Sequence, residues 1–131
     1  MAEPSLVEIK ITPEFQRKVR NLAKKYRRIQ ADLQPIFEQL QRGELSGDQI
    51  VGVGYEVFKL RVKNSDAQKG KSGGYRLIYW LQFTSTVVLL DIYSKSEQEN
   101  TEVTEVQRII AKFKQDQQED EGANSNSNCD H

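Results

Sequence analysis

The chain is nearly empty of the residues that most often do chemistry. Its 131 residues include one cysteine, Cys129, and one histidine, His131, both at the far C-terminus. A lone cysteine forms no intrachain disulfide, so a reducing, cytoplasmic setting is expected. No cluster of His and Cys is spaced to hold zinc, and the one histidine, His131, lies in the C-terminal tail, so no Ser or Cys of the body is expected to have a histidine to activate it. Carboxylates paired for calcium binding or glycoside hydrolysis are missing too. The expectation is therefore no metal and no small-molecule cofactor. Long apolar runs are also absent: none approaches the roughly 20 residues of a membrane helix. Met1–Ser5 lacks the cationic-then-apolar pattern of a secretion signal, so no membrane partner is expected.

What the chain has in quantity is charge, at 29% against 37% hydrophobic residues. The formal net charge of zero hides a division. Residues 114–131 hold one Lys against Asp116, Glu119, Asp120, Glu121 and Asp130, a net of −4. Residues 1–113 hold 18 basic and 14 acidic groups, a net of +4. A basic body of one domain, 1–115, thus carries an acidic tail, 116–131, whose Gln/Glu/Asp/Asn/Ser composition predicts disorder.

Along the body, Leu6–Ile11 alternates as a short strand. Thr12, Pro13 and Glu14 combine an N-cap hydroxyl, a first-turn proline and an early carboxylate, which start a helix running to about residue 28. Phe15, Val19, Leu22, Ala23 and Tyr26 form its apolar stripe. Its other face, with Arg17, Lys18, Arg20, Lys24, Lys25, Arg27 and Arg28, reads first as a solvated exterior and second as a surface that touches nucleic acid. A second helix has Leu33, Ile36, Phe37 and Leu40 inward and ends at Gly43. Pro35 places its start near Asp32, because proline is harmless only in the first turn. Strands follow at about 55–63, 75–83 and 86–93, with a Gly/Ser/Lys-rich loop at 64–74 and a tight turn at Thr84-Ser85. A last helix near 101–114 turns Val103, Val106, Ile109, Ile110 and Phe113 inward. The order β-α-α-β-β-β-α predicts an α+β domain, a small mostly antiparallel sheet with an N-terminal helical hairpin on one face and a C-terminal helix.

Two motifs are false leads. Gly52-Val53-Gly54 is a fragment of a dinucleotide fingerprint. Gly70-Lys71-Ser72 ends like a P-loop but leads into a strand, where a P-loop leads into a helix. The alternation of the strands is more informative. It predicts Phe58, Leu60, Val62, Leu77, Tyr79, Leu81, Val88, Leu90 and Ile92 beneath the helices. Lys59, Arg61, Lys63, Arg76, Trp80, Asp91 and Tyr93 then share an open face. Cations neutralise phosphates, and aromatic rings give bases a surface for stacking, so single-stranded RNA is the expected ligand class.

These residues carry a resemblance. Leu22-Ala23-Lys24-Lys25-Tyr26, Tyr55 to Lys63, Lys69 to Tyr79 with its Gly74-Tyr75-Arg76 core, and Leu89 to Glu97 with Tyr93-Ser94-Lys95 together resemble RelE/ParE-superfamily toxins. The likeness spans about residues 6–114 and is closest to the HigB-like and RelE-like ribonuclease branch. It implies a cytoplasmic toxin that enters the ribosomal A site and cuts mRNA without a metal, restrained by a cognate antitoxin. By the same resemblance Arg76 contacts the scissile phosphate, with Lys59 and Arg61 on the preceding strand and Lys95 after the last one. Lys59 is expected as base, its charged form disfavoured by neighbouring cations. Arg76 and Arg61 are phosphate clamps, Lys95 or Tyr93 the proton donor, and Lys63, Lys71 and Trp80 further RNA contacts. Several relatives carry an arginine after the last strand and a tyrosine in the final helix; here Ser96 follows Lys95 and that helix has no Tyr. The superfamily also contains ParE-like gyrase inhibitors without nuclease activity, and an inactive antitoxin-binding relative is the third reading.

Overall fold

The computed structural model describes residues 7–65, 74–95, 97–98 and 100–130, with side chains in the last helix as far as Asp116. Its elements are β1 (Glu8–Ile11), α1 (Pro13–Lys25), α2 (Ile29–Gln41), β2 (Asp48–Gln49), β3 (Val57–Val62), β4 (Tyr75–Phe83), β5 (Thr86–Ser94) and α3 (Val103–Asp130). The five strands lie in the order β1-β5-β4-β3-β2, antiparallel except for the β1–β5 pair. This is the expected α+β arrangement, with the two-residue β2 added at one edge.

The local signals at the first helix act together. The Thr12 side chain, fully buried, accepts from the Phe15 N–H at 3.1 Å and donates to the Leu89 carbonyl at 2.8 Å. One hydroxyl therefore caps α1 and ties it to β5. The start of α2 differs from expectation: it begins at Ile29, leaving Pro35 inside the helix. Ile29 and Leu33 are both buried, and seating these side chains outweighs the hydrogen bond that Pro35 cannot donate. At the other end of the chain α3 runs on past Lys114 to Asp130, through Gln, Glu and Asp residues without a proline.

Strand β5 is buried at all nine positions, because the sheet is covered on both faces. On one face α1 and α2 enclose Leu60, Val62, Tyr75, Leu77, Tyr79, Val87, Leu89 and Ile92, with Phe58 and Leu81 packed alongside. On the other, Val106, Ile109 and Ile110 of α3 cover Val57, Ile78, Trp80, Val88 and Leu90. The predicted open face is thus largely roofed by α3, and the alternation predicted for β5 fails in its first half. Val88 and Leu90 face α3, while Ile92 faces the helical hairpin. The reason is a bulge. Ile78 pairs with Asp91 and Tyr79 with Leu89, which leaves Leu90 as an extra residue that inverts the pleat.

Tyr79 gives the hairpin-side core a titratable marker. Its hydroxyl donates to the Ser46 carbonyl at 2.6 Å, and burial pushes the phenol from 10.0 up to about 12. A folded-state pKa above the unfolded one makes the native state hold the proton longer, so this contribution is intact below pH 10 and is lost as pH rises toward 12. Urea unfolding midpoints should fall more steeply across that window in the wild type than in Tyr79→Phe. Equal slopes would remove Tyr79 as the cause.

Candidate functional site

The register of the central strands assembles a row at one end of the sheet. Arg61 of β3 lies opposite Arg76 of β4, and Arg76 lies opposite Tyr93 of β5. Neighbouring strands are about 5 Å apart, so the row spans about 10 Å. Lys59, two residues before Arg61, shares its face and pairs with Ile78. Two arginines at directly opposite positions on adjacent strands place like charges on neighbouring backbone sites, which an acceptor of opposite charge would favour. Arg61 is exposed, whereas Arg76 is 9% exposed and donates from Nη1 to its neighbour's carbonyl, Tyr75 O, at 3.3 Å. Gly74 sets the start of β4 beside this pair. Its φ of +54° and the Val62 carbonyl oxygen, which a Cβ would strike, both demand glycine.

Beside the row lies the approach to α3. Lys59 Nζ sits 3.4 Å from Asn100 Oδ1, which also accepts from the Thr101 N–H at 3.1 Å. The Thr101 hydroxyl donates to Asp91 Oδ2 at 3.3 Å. Asp91, buried at the bulge, accepts through Oδ1 from Lys18 Nζ at 2.8 Å and from the Ile92 N–H at 2.9 Å. It therefore joins α1, β5 and the segment that begins α3. A second tie runs beside it: Arg108 of α3 meets Glu14 of α1 at 3.3 Å and Glu105 at 2.6 Å. The hydrogen bond from Arg108 holds the Glu105 carboxyl below its ordinary value. The Tyr93 phenol is raised, chiefly by burial, with Arg76 opposing and Asp91 adding to the shift. Its hydroxyl has no hydrogen-bond partner at full geometry among the described residues, though Thr101 is near enough to favour the phenolate slightly.

The sequence-predicted residues divide accordingly. Arg61, Arg76 and Tyr93 share one row, with Lys59 one pleat along. Lys95 follows β5 directly, its N–H donating to the Gly74 carbonyl at 2.9 Å. Lys63 is exposed just past β3, and Lys71 lies outside the described residues. Trp80 is a correction. It is 5% exposed, packed edge-on against Tyr55 and Phe113 beneath α3, and offers no face for a base to stack on. Asp91 is likewise a tie between elements and not part of a freely open face. Sequence reading missed Asn100, Thr101 and Lys18. Only the acid–base complementarity of Lys18 and Asp91 could have hinted at the last, 73 residues apart.

Among the described residues no group of three or more His, Cys, Asp or Glu side chains is placed to hold a metal. None of the helices there is long and apolar enough to cross a membrane. A basic row on a sheet flanked by a helical hairpin and a C-terminal helix agrees with the comparison to protein families. The model of the RelE toxin of the RelE / RelB toxin-antitoxin system matches residues 11–124. This chain belongs to the RelE toxin family. It is a toxin of a toxin–antitoxin system, and RelE toxins partner with an antitoxin. The match runs from the end of β1 into α3, so it takes in the α3-side core, the hairpin-side core apart from Val7 and Ile9, and the whole row of this RelE toxin. No curated protein matches the chain significantly.

Replacing Asp91 with alanine should lower the toxin's unfolding free energy by about 2–3 kcal/mol, because buried donors lose a charged acceptor. Denaturant titration measures it. A change below about 0.5 kcal/mol would show that the tie contributes nothing.

Proposed function

We propose that this RelE toxin is a ribosome-dependent, metal-independent mRNA endoribonuclease that inhibits translation in the cytoplasm and is restrained by its cognate antitoxin. The observation that carries the reading is the apposition of Arg61 and Arg76 beside a buried phenol. In the reaction, the ribose 2′-oxygen forms a bond to the adjacent phosphorus and the P–O5′ bond breaks. The transition state gathers negative charge on the non-bridging oxygens, and preorganised cations at that point lower the barrier. Arg61 and Arg76 take this role, each able to grip two oxygens.

Two proton transfers complete the step. Lys59 accepts the 2′-OH proton; among the described residues its polar neighbour is the neutral Asn100 side chain, with no carboxylate in ion-pair reach. Tyr93 donates to the departing 5′-oxygen; a phenol carries its proton at neutral pH, and Arg76 opposes the upward shift by burial that makes it a weaker acid. Lys95, next to the row, is the alternative donor, while Lys63 and Lys71 extend the phosphate contacts. The domain reading, a toxin body of 1–115 and an acidic extension of 116–131, belongs to the same proposal.

Arg76→Ala should slow cleavage of ribosome-bound mRNA by about 10²–10³-fold, the scale of losing one transition-state contact. Primer extension on translating ribosomes measures this. EDTA at concentrations that leave ribosomes intact should not change the toxin's own rate. Undiminished cleavage by the variant would overturn the assignment, and DNA damage without halted translation on expression would point to a gyrase-directed relative instead.

A further inference from the structure

A cleft of about 300 Å³ opens beyond the edge of the Arg61–Arg76–Tyr93 row. It lies between α1 and the last residues of β5, where β1 no longer pairs, because the β1 ladder stops at Leu89. Lys18, Asn21, Leu22 and Lys25 of α1 form one wall, Ile92, Tyr93 and Ser94 another, and Glu97 and Gln98 close the rim. Tyr93 belongs both to the row and to the cleft.

The chemistry of the cleft differs from that of the row. Lys18 is neutralised by Asp91 at 2.8 Å and Lys25 by Glu97 at 2.6 Å. A phosphate entering here would find cations already paired, so the cleft is not a second anion site. What it presents instead is neutral and hydrogen-bonding. The Asn21 amide makes no hydrogen bond to a described residue and offers both a donor and an acceptor. Gln98 spends its Nε2 on the Asn100 carbonyl and the Thr101 hydroxyl, which leaves its Oε1 as an acceptor held in place. The buried Tyr93 hydroxyl lacks a full hydrogen bond. Leu22 and Ile92 add apolar surface.

We infer that this cleft receives the base of a nucleotide adjoining the phosphate held by Arg61 and Arg76, and that Asn21 and Gln98 read its edge. An uncharged, flat group with fixed donors and acceptors is the ligand that two amides and an apolar floor complement. A base next to the clamped phosphate is the group of that kind which the strand spacing brings within reach. The inference rests on the nuclease reading for its ligand, but it is tested apart from catalysis.

The test titrates the full chain with four 2′-O-methyl dinucleoside monophosphates, one per base, which cannot be cut. The backbone and side-chain amides are followed by ¹⁵N–¹H NMR. Expected is a shift of the Asn21 and Gln98 side-chain signals, largest for one base. Asn21→Ala, on the exposed side of α1 where alanine favours the helix, should weaken that dinucleotide at least fivefold and the others by less than twofold. The inference fails if no dinucleotide moves these signals, if Asn21→Ala binds all four like the wild type, or if only an antitoxin segment moves them. Cleavage of ribosome-bound mRNA with silent Asn21 and Gln98 signals would sink the cleft alone. Shifted signals without any cleavage would sink the nuclease reading and leave the cleft standing.

Discussion

The extra residue at Leu90 is the constraint on which the rest of the molecule depends. Without it, β5 would present Val88, Leu90 and Ile92 to the helical hairpin and Val87, Leu89, Asp91 and Tyr93 to the other side. With it, the first half of the strand feeds the α3 core through Val88 and Leu90, and the second half returns Ile92 to the hairpin core. A strand buried on both faces needs apolar residues at nearly every position, which Val87-Val88-Leu89-Leu90 supplies. The bulge also fixes where the polar residues emerge. Asp91 sits beside the kink, still paired with Ile78, where Lys18 and Thr101 reach it, and Tyr93 falls opposite Arg76.

From that placement the electrostatics follow. The body's cations do not form one uniform basic surface. Lys18, Lys25 and Arg108 are taken up in ties to Asp91, Glu97, Glu14 and Glu105, which hold α1, the end of β5 and α3 together. Arg61 and Arg76 stand against each other on adjacent strands. The first set fixes the frame, and the second, Cα partners on adjacent strands, is the one the proposed function assigns to a phosphate. Exposed pairs such as Lys25–Glu97 add little to stability on their own. Their part is to neutralise the cleft beside the row.

Much of the fold could be read from residue order because the signals were local. Thr12-Pro13 at the first helix, glycine before the arginine strand and the 3.6-residue stripe of α3 are each decided within a few residues. The hairpin-side residues of β3 and β4 obeyed simple alternation for the same reason. Pro35 misled about the start of α2 because its local cost was outweighed by burial of Ile29, a tertiary effect. The bulge was invisible for a related reason: four consecutive apolar residues fit either register, and only packing from both faces selects one. Trp80 was assigned to an exposed face because alternation gives a side, not what covers it; α3, from far along the chain, does. Of the site, Arg61, Arg76 and Tyr93 could be grouped by parity of adjacent strands. Asn100, Asn21 and Gln98 could not, since their positions depend on how α1 and the segment before α3 approach β5.

The central claim is that Arg61 and Arg76 hold one phosphate jointly. Binding of a 2′-O-methyl RNA measured across a series of salt concentrations tests it most directly, since each phosphate contact on a single strand contributes about 0.7 to the logarithmic salt slope. The account predicts that the Arg61→Gln, Arg76→Gln double variant loses about 0.7 from that slope, one contact and not two. A slope equal to that of the wild type would contradict it.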